Sequence, residues 1–535
     1  MQGKQVITSF FEKHGISHIF QLPGLHTLAL NACLYNQQTT KTITARHETN
    51  LAFMADGYAR ASGKPGVILV TPGPGLGNIV SGCMESFCDD VPLFIIHIDI
   101  DRKDLGKGIL HEIIDPGNIF RHFIKESFSV GSAESLPEIL DRAYRTCTAG
   151  RCGPVLVSIP YSLLDKEVSS SVKGMPDPLP APLTQDTVED LRTFLAGLEH
   201  LLNACERPVM IGGKGLMNDA ASKLVEEICG PGNIPFLTTT GGKGVVSDKH
   251  LFSFGSIMAK GTARQIVRSS DLVIAAGTRL RDVDTRRRGV RIGNLVHIDI
   301  DDRWMNRNYP AVLQYAADPL GALRGIAHIT RGRAFSWDLP RLKEMQRSEA
   351  VSMKRSARGY ALVDLLRNTI PDAASIVCDL NIPSYWSEYY MPVYHRRSFI
   401  MPRGISPIFY SLSAAIGAKT ARPELPCLAV CGDGGVLPQI AELATAVRYK
   451  IPVVVFVHNN SSFSILENTM RNRYEITGSM DLTNPDFVKL ARAFGVKAKR
   501  ARSLAGLKDI FLRDINWDEP FLVEFVDAVS SPPWD

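Results

Sequence analysis

The chain has 535 residues, 45% of them hydrophobic and 21% charged, with a formal net charge of +5. It is too long for one core, and its composition is ordinary for a soluble enzyme of about three domains. The weak, scattered charge, the lack of a leader or of an apolar run of about 18 residues, and ten cysteines without paired short spacings argue against nucleic-acid or membrane partners, secretion, and a disulfide or zinc framework. A cytoplasmic protein with reduced thiols is expected.

In the first block, residues 1–166, apolar strands at 66–70, 92–100 and 154–159 alternate with helical stretches. Its first strand–helix turn, Leu22-Pro23-Gly24-Leu25-His26-Thr27-Leu28, carries His26. Then follow Arg46-His47-Glu48, a loop Thr71-Pro72-Gly73-Pro74-Gly75 with Asn78, and Ile109-Leu110-His111-Glu112-Ile113. A Pro- and Ser-rich passage reads as a linker over 167–184. The second block, 185–330, opens with a helix and continues through apolar strands such as Leu272-Val273-Ile274-Ala275-Ala276. It looks Rossmann-like but lacks a clean G-x-G-x-x-G, so no dinucleotide site is assigned to it. Its basic cluster at 279–291 reads as a solvated face or a phosphate contact rather than a nucleic-acid stripe. A second connection, 331–359, leads to a third block, 360–535. Alternating strands and helices in all three blocks predict an α/β fold of mostly parallel sheets, each covered by helices on both faces.

The third block carries the most informative motif. An apolar strand, Leu428-Ala429-Val430, runs into Cys431-Gly432-Asp433-Gly434-Gly435, and a second, 453–457, leads to Asn459-Asn460, with Asn460 placed 27 positions after Asp433. A tight glycine turn with free N–H groups accommodates a bulky anion, and Asp and Asn oxygens are the hard ligands magnesium prefers. Two parallel strands ending side by side put both motifs at the carboxyl edge of one sheet, where α/β sheets bind ligands. A Mg²⁺-bridged diphosphate fits this arrangement.

This pairing resembles the thiamine diphosphate fingerprint of the acetolactate synthase, pyruvate decarboxylase and benzoylformate decarboxylase superfamily. The resemblance runs nearly the whole length and implies its three-domain architecture: a pyrimidine-binding domain, a central Rossmann-like domain and a diphosphate-binding domain. It implies Mg²⁺ ligands at Asp433, Asn460 and the Ser462 carbonyl, and diphosphate contacts at Gly434 and Gly435. The stretch from Arg46-His47-Glu48 through Ala55-Asp56-Gly57-Tyr58-Ala59-Arg60 resembles the family's activating-glutamate segment. Glu48 would face the aminopyrimidine, favour its imino tautomer and, in an apolar cleft, have a raised pKa. By the same resemblance Thr71 and Asn78 lie beside the reacting carbon and Asn381 and Ile382 contact phosphate. Ile408, placed 25 residues before Asp433, props the bent cofactor, with Ser406 in the same contact segment. The pyrimidine-binding domain of one subunit would face the diphosphate domain of another, giving a homodimer or homotetramer with interfacial sites.

His26 and His111 occupy turns that face the cofactor in the family, where an imidazole can relay a proton or bind a substrate carboxylate; either can also be structural. The P-G-x-H-T-L run with a later L-H-E looks like the 5-guanidino-2-oxopentanoate decarboxylase group. Departures narrow the reading. Val283 replaces an Arg and Thr469 a Trp of acetolactate synthases, which argues against that activity and against FAD. Leu466 replaces a pyruvate decarboxylase Glu, with Glu467 one step out of register, about 100° around a helix. Glu112 is a substitute acid or a partner for His111. The expected reaction is decarboxylation of a small-molecule 2-oxo acid, its enamine released as aldehyde or passed to an acceptor carbonyl. The alternative is an acetolactate synthase-like carboligase. The side chain of the 2-oxo acid stays open.

Overall fold

Fully buried parallel strands need apolar side chains on both faces, so they appear as continuous aliphatic runs. Gly66–Val70, Pro208–Gly212 and Leu272–Ala276 are buried at every position. In this computed structural model, which describes residues 1–168, 188–478, 480–529 and 531–534, such runs build three six-stranded parallel sheets. The expected linker lies, from 169 onward, outside the described residues. The first sheet comprises β1 (His18–Gln21), β2 (Lys41–Thr44), β3 (Gly66–Val70), β4 (Leu93–Asp99), β5 (Glu126–Ser129) and β6 (Val155–Pro160), in the order β2-β1-β3-β4-β6-β5. The central sheet comprises β7 (Pro208–Gly212), β8 (Phe236–Thr238), β9 (Ser253–Ser256), β10 (Leu272–Ala276), β11 (Leu295–Asp299) and β12 (Leu313–Ala316), in the order β12-β11-β10-β7-β8-β9. The third comprises β13 (Ser375–Cys378), β14 (Phe399–Ile400), β15 (Cys427–Gly432), β16 (Val454–Asn459), β17 (Lys497–Ala501) and β18 (Phe521–Val526), in the order β14-β13-β15-β16-β18-β17.

Strand order reverses between β1 and β3 and between β13 and β15. Loops diverge at such points and leave a crevice at the carboxyl edge, the usual ligand position in open α/β sheets. The loops after β1 and β3 carry His26 and Thr71. The loops after β13 and β15 carry Asn381 and Asp433. Topology alone therefore makes two half-crevices of the candidate residues.

The first and third units share one hydrophobic core, centred on the crossing of helix Glu48–Ser62 with helix Ser411–Ala421. The helices touch backbone to backbone. A Cβ on Gly57 would sit 2.1 Å from the Ala414 carbonyl oxygen, and one on Gly417 only 1.8 Å from that of Met54. A mid-helix glycine costs about 0.5–1 kcal/mol of helix propensity, a loss offset here by close packing. Glu442 anchors the start of the Glu48 helix: its buried carboxylate accepts from the Arg46 N–H (3.0 Å), Asn50 Nδ2 (2.9 Å) and Thr445 Oγ1 (2.6 Å).

The stretch expected as a connection at 331–359 is largely helical, Leu339–Ser356. Only Leu339 and Leu342 of that helix are buried, so its sequence lacks the apolar stripe that marks a packed helix. No helix among the described residues is long and apolar enough to cross a membrane, and all ten cysteines are unpaired.

Candidate active site

β15 lies between β13 and β16, with Gly432 in register with His458. That register delivers Asp433 and Asn460 to the same edge, beside the turn after β13. A cavity of about 290 Å³ opens there, lined by Asn381, Ile382, Ile408, Asp433, Gly434, Gly435, Asn460 and Ser462 together with Tyr385, His458, Phe463 and Leu466. Asp433–Val436 is a helical turn, and neither Gly434 nor Gly435 has a left-handed backbone. Space, rather than the tight turn expected from sequence, requires these glycines. A Cβ on Gly434 would meet the Phe463 ring at 2.4 Å, and one on Gly435 the Ile408 carbonyl oxygen at 2.2 Å.

The hydrogen-bond partners of Asp433 are amides. Its carboxylate accepts from the Gly434 N–H (2.9 Å) and Asn484 Nδ2 (2.8 Å), and the N–H groups of Ser461 and Asn460 face it. Burial raises its pKa above the ordinary carboxylate range, with the Asn484 hydrogen bond opposing. Asn484 also donates to Asn459 Oδ1 (3.1 Å), while its own Oδ1 and Ser462 Oγ are buried without partners. Asn460 Nδ2 donates to Ser464 Oγ (2.5 Å) and to the Val529 carbonyl (3.3 Å), which leaves Oδ1 as its ligand end. One buried carboxylate, an amide oxygen and the Ser462 carbonyl form a hard oxygen set suited to Mg²⁺. Among the described residues no cluster of three or more His, Cys, Asp or Glu offers another metal site.

Other candidates have more local duties. Asn381 caps helix Ile382–Tyr390 through the Ser384 N–H (3.0 Å) and donates to the Val430 carbonyl (3.0 Å), so both ends of its side chain shape the cavity wall. Asp379, pushed up to about 8 by burial, accepts from the Leu380 (2.8 Å) and Tyr410 (3.4 Å) N–H groups. Ser406 is outside the cavity, with φ of +59° and its N–H on Glu85 (3.1 Å). Leu466 faces the cavity. Glu467 instead anchors the following loop through the Gly478 (2.8 Å) and Met480 (3.3 Å) N–H groups. Asn484 was missed by sequence reasoning, because Asn484-Pro485-Asp486 reads only as a turn into a helix.

The second half-crevice gathers Glu48, Thr71, Asn78, His26 and His111. Glu48 opens its helix behind the His47 cap and accepts from Asn78 Nδ2 (3.0 Å), while Thr49 Oγ1 donates to the Asn78 carbonyl (2.7 Å). Within one chain Glu48 is partly exposed. Thr71 is wedged between Gly24 and Gly75, where an added Cβ on either would approach it to 2.5 Å. His111 has a left-handed backbone, φ +69°, and lies against Gly73. Such an outlier on a non-glycine residue marks a constrained position. Its ring centroid is 5.9 Å from that of His26, which is 5.8 Å from that of Tyr161. Both Nδ1 atoms are enclosed without partners, and burial, then His111, lowers the His26 pKa. Glu112 is neither a free acid nor a partner of His111. It accepts from the N–H groups of Gly106, Gly108 (2.7 Å) and Ile109 (3.2 Å) and ties that loop down.

One chain does not bring the halves together, because every residue lining the Asp433 cavity comes from 380–466. Both rims expose large apolar side chains, Leu25 (74%) and Leu110 (62%) near His26 and Leu466 (53%) near Asp433.

Comparison with known proteins gives this geometry a family. The thiamine pyrophosphate enzyme N-terminal TPP binding domain matches residues 1–119, the central domain 195–326, and the C-terminal TPP binding domain 382–525. The chain belongs to the thiamine pyrophosphate enzymes. It is 32% identical to a probable 2-ketoarginine decarboxylase (AruI) of Pseudomonas aeruginosa, over 94% of this chain and 90% of that one. It is 29% identical to a probable acetolactate synthase large subunit of Methanocaldococcus jannaschii, over 98% and 92%. The acetolactate synthase of Bacillus subtilis is 26% identical, again over 98% and 92%.

Proposed function

We propose that the protein decarboxylates a 2-oxo acid with thiamine diphosphate and Mg²⁺, in a site closed between two copies of the chain. The observation that carries the reading is the Asp433 cavity, where a buried carboxylate faces only amide donors beside unpartnered Ser462 and Asn484 oxygens. Bound thiamine diphosphate supplies an acidic thiazolium carbon and an electron sink for the pair released with CO₂.

The protein's part is positioning and proton handling. Asp433, Asn460 and the Ser462 carbonyl hold Mg²⁺ and through it the diphosphate. Ile408 props the rings, and Leu466 keeps that wall apolar. Glu48, oriented by Asn78, exchanges a proton with the aminopyrimidine. His26 and His111 offer unpartnered Nδ1 atoms that can carry a proton to the carbon left after CO₂ departs; an aldehyde is freed once the hydroxyl proton on that carbon is removed and its bond to the cofactor breaks. The likeness to a 2-ketoarginine decarboxylase supports this outcome and makes 2-ketoarginine the first substrate to try. The likeness to acetolactate synthases supports a second reading, in which an acceptor carbonyl takes the place of the proton. Val283 and Thr469 weigh against it.

The test is CO₂ release with mass spectrometry of products, using purified protein, thiamine diphosphate, Mg²⁺ and a panel of 2-oxo acids with and without an aldehyde acceptor. Aldehyde alone is expected. Coupled products establish the carboligase, and a cofactor-loaded protein that releases no CO₂ from any acid contradicts both readings.

A further inference from the structure

We propose that Glu85 is a positioning residue for the cofactor cavity, latching the 404–406 backbone so that Ile408 is held at the cavity wall; this rests on reading that cavity as the cofactor site. Glu85 is fully buried, and its two oxygens accept from three consecutive N–H groups, Gly404 (3.0 Å), Ile405 (2.8 Å) and Ser406 (3.1 Å). A run of N–H groups wrapped around one carboxylate is an anion nest built from the chain itself. It explains the left-handed Ser406, whose φ of +59° turns its N–H inward. Arg60 Nη2 holds the same carboxylate from the other side (3.1 Å).

The far end of the loop is gripped by the same cluster. Arg60 also bonds Asp56 (2.6 Å) and Asp89 (2.9 Å), and Asp56 accepts from Ser86 Oγ (2.7 Å) and from the hydroxyl of Tyr410. Residues 404–406 and Tyr410 are thus fixed to one buried charge cluster, and Ile408, 43% exposed, is the apex between them. The Ile408 carbonyl lies against Gly435, where a Cβ would approach it to 2.2 Å, so a shift of the loop reaches the diphosphate turn directly. Asp56 and Arg60 belong to helix Glu48–Ser62, so the helix that presents Glu48 also sets the height of the Ile408 loop. Glu85 touches none of the cavity itself and acts only through that backbone.

Glu85→Gln keeps the shape but loses the charge that three N–H groups and a guanidinium share. Folding is checked by circular dichroism and size. Hydrogen–deuterium exchange of peptides spanning 404–408 and the thiamine diphosphate Kd, from tryptophan quenching with Mg²⁺ present, are then read. Exchange and Kd are each expected to rise about tenfold, since charge-assisted bonds are lost, while β15 and β16 exchange as in wild type. Folded E85Q with wild-type exchange at 404–408 and wild-type Kd overturns the proposal. If E85Q does not fold, Glu85→Asp withdraws the carboxylate by one methylene from the three N–H groups, and wild-type Kd and exchange in that variant overturn it equally. Wild-type protein that binds no thiamine diphosphate sinks the cofactor reading instead and is distinguishable from either result.

Discussion

The two halves of the site are finished to different degrees within one chain. Around Asp433 two loops, a helical turn and a helix start already line a cavity, and Asn484 holds the Asp433 carboxylate (2.8 Å). Around Glu48 there is only a rim, with the Asn78 side chain bonded to its carboxylate and exposed leucines near His26. Strand register shapes the first half, because parallel pairing of β15 with β13 and β16 brings the loops of Asn381, Asp433 and Asn460 to one edge. The second half, under the reading proposed above, is completed by a second copy of the chain.

The largest effect is expected at the unfinished half. Glu48→Gln should lower turnover by roughly 10²–10⁴-fold, the range for losing a positioned proton-transfer group, while thiamine diphosphate still binds. Near-normal turnover would remove Glu48 from its role. At the finished half, Asp433→Ala should weaken Mg²⁺-dependent cofactor retention by about a hundredfold, measured by thiamine diphosphate titration after EDTA dialysis. Equal retention with and without Asp433 breaks the diphosphate-site assignment. Asn484→Ala should cost about tenfold in the same titration, the scale of a residue that orients a metal ligand. The smallest effect is graded. Because burial raises Asp433 in the empty site, its ionised form is lost on acidification from above the ordinary carboxylate range, and cofactor uptake by the apo-protein should fall along that slope. A flat profile down to the ordinary range contradicts the assignment.

Much of this was legible in the sequence, for physical reasons. Strands buried on both faces leave unbroken aliphatic runs, so β3, β7, β10 and β15 stand out. A ligand loop needs particular residue types directly after such a run, which is why Asp433 and Asn460 could be found. What stayed hidden depends on distant chain segments. Nothing local ties Asn484 to Asp433, Glu85 to the 404–406 amides, or Gly57 to Gly417. Glu467 illustrates the converse. In sequence it stands one step out of register with the pyruvate decarboxylase Glu, and its carboxylate is committed to the Gly478 and Met480 N–H groups. The helix Leu339–Ser356 was hidden because it buries too little to carry an apolar stripe.

The most direct test of the divided site is complementation between two inactive variants. Glu48→Gln and Asp433→Ala chains carrying different tags are co-expressed, mixed oligomers are isolated through both tags, and CO₂ release is measured. In a mixed pair one site combines an intact Glu48 with an intact Asp433, so activity is expected to return although neither variant has it alone. Mixed oligomers as inactive as the separate variants would contradict a site shared between two copies.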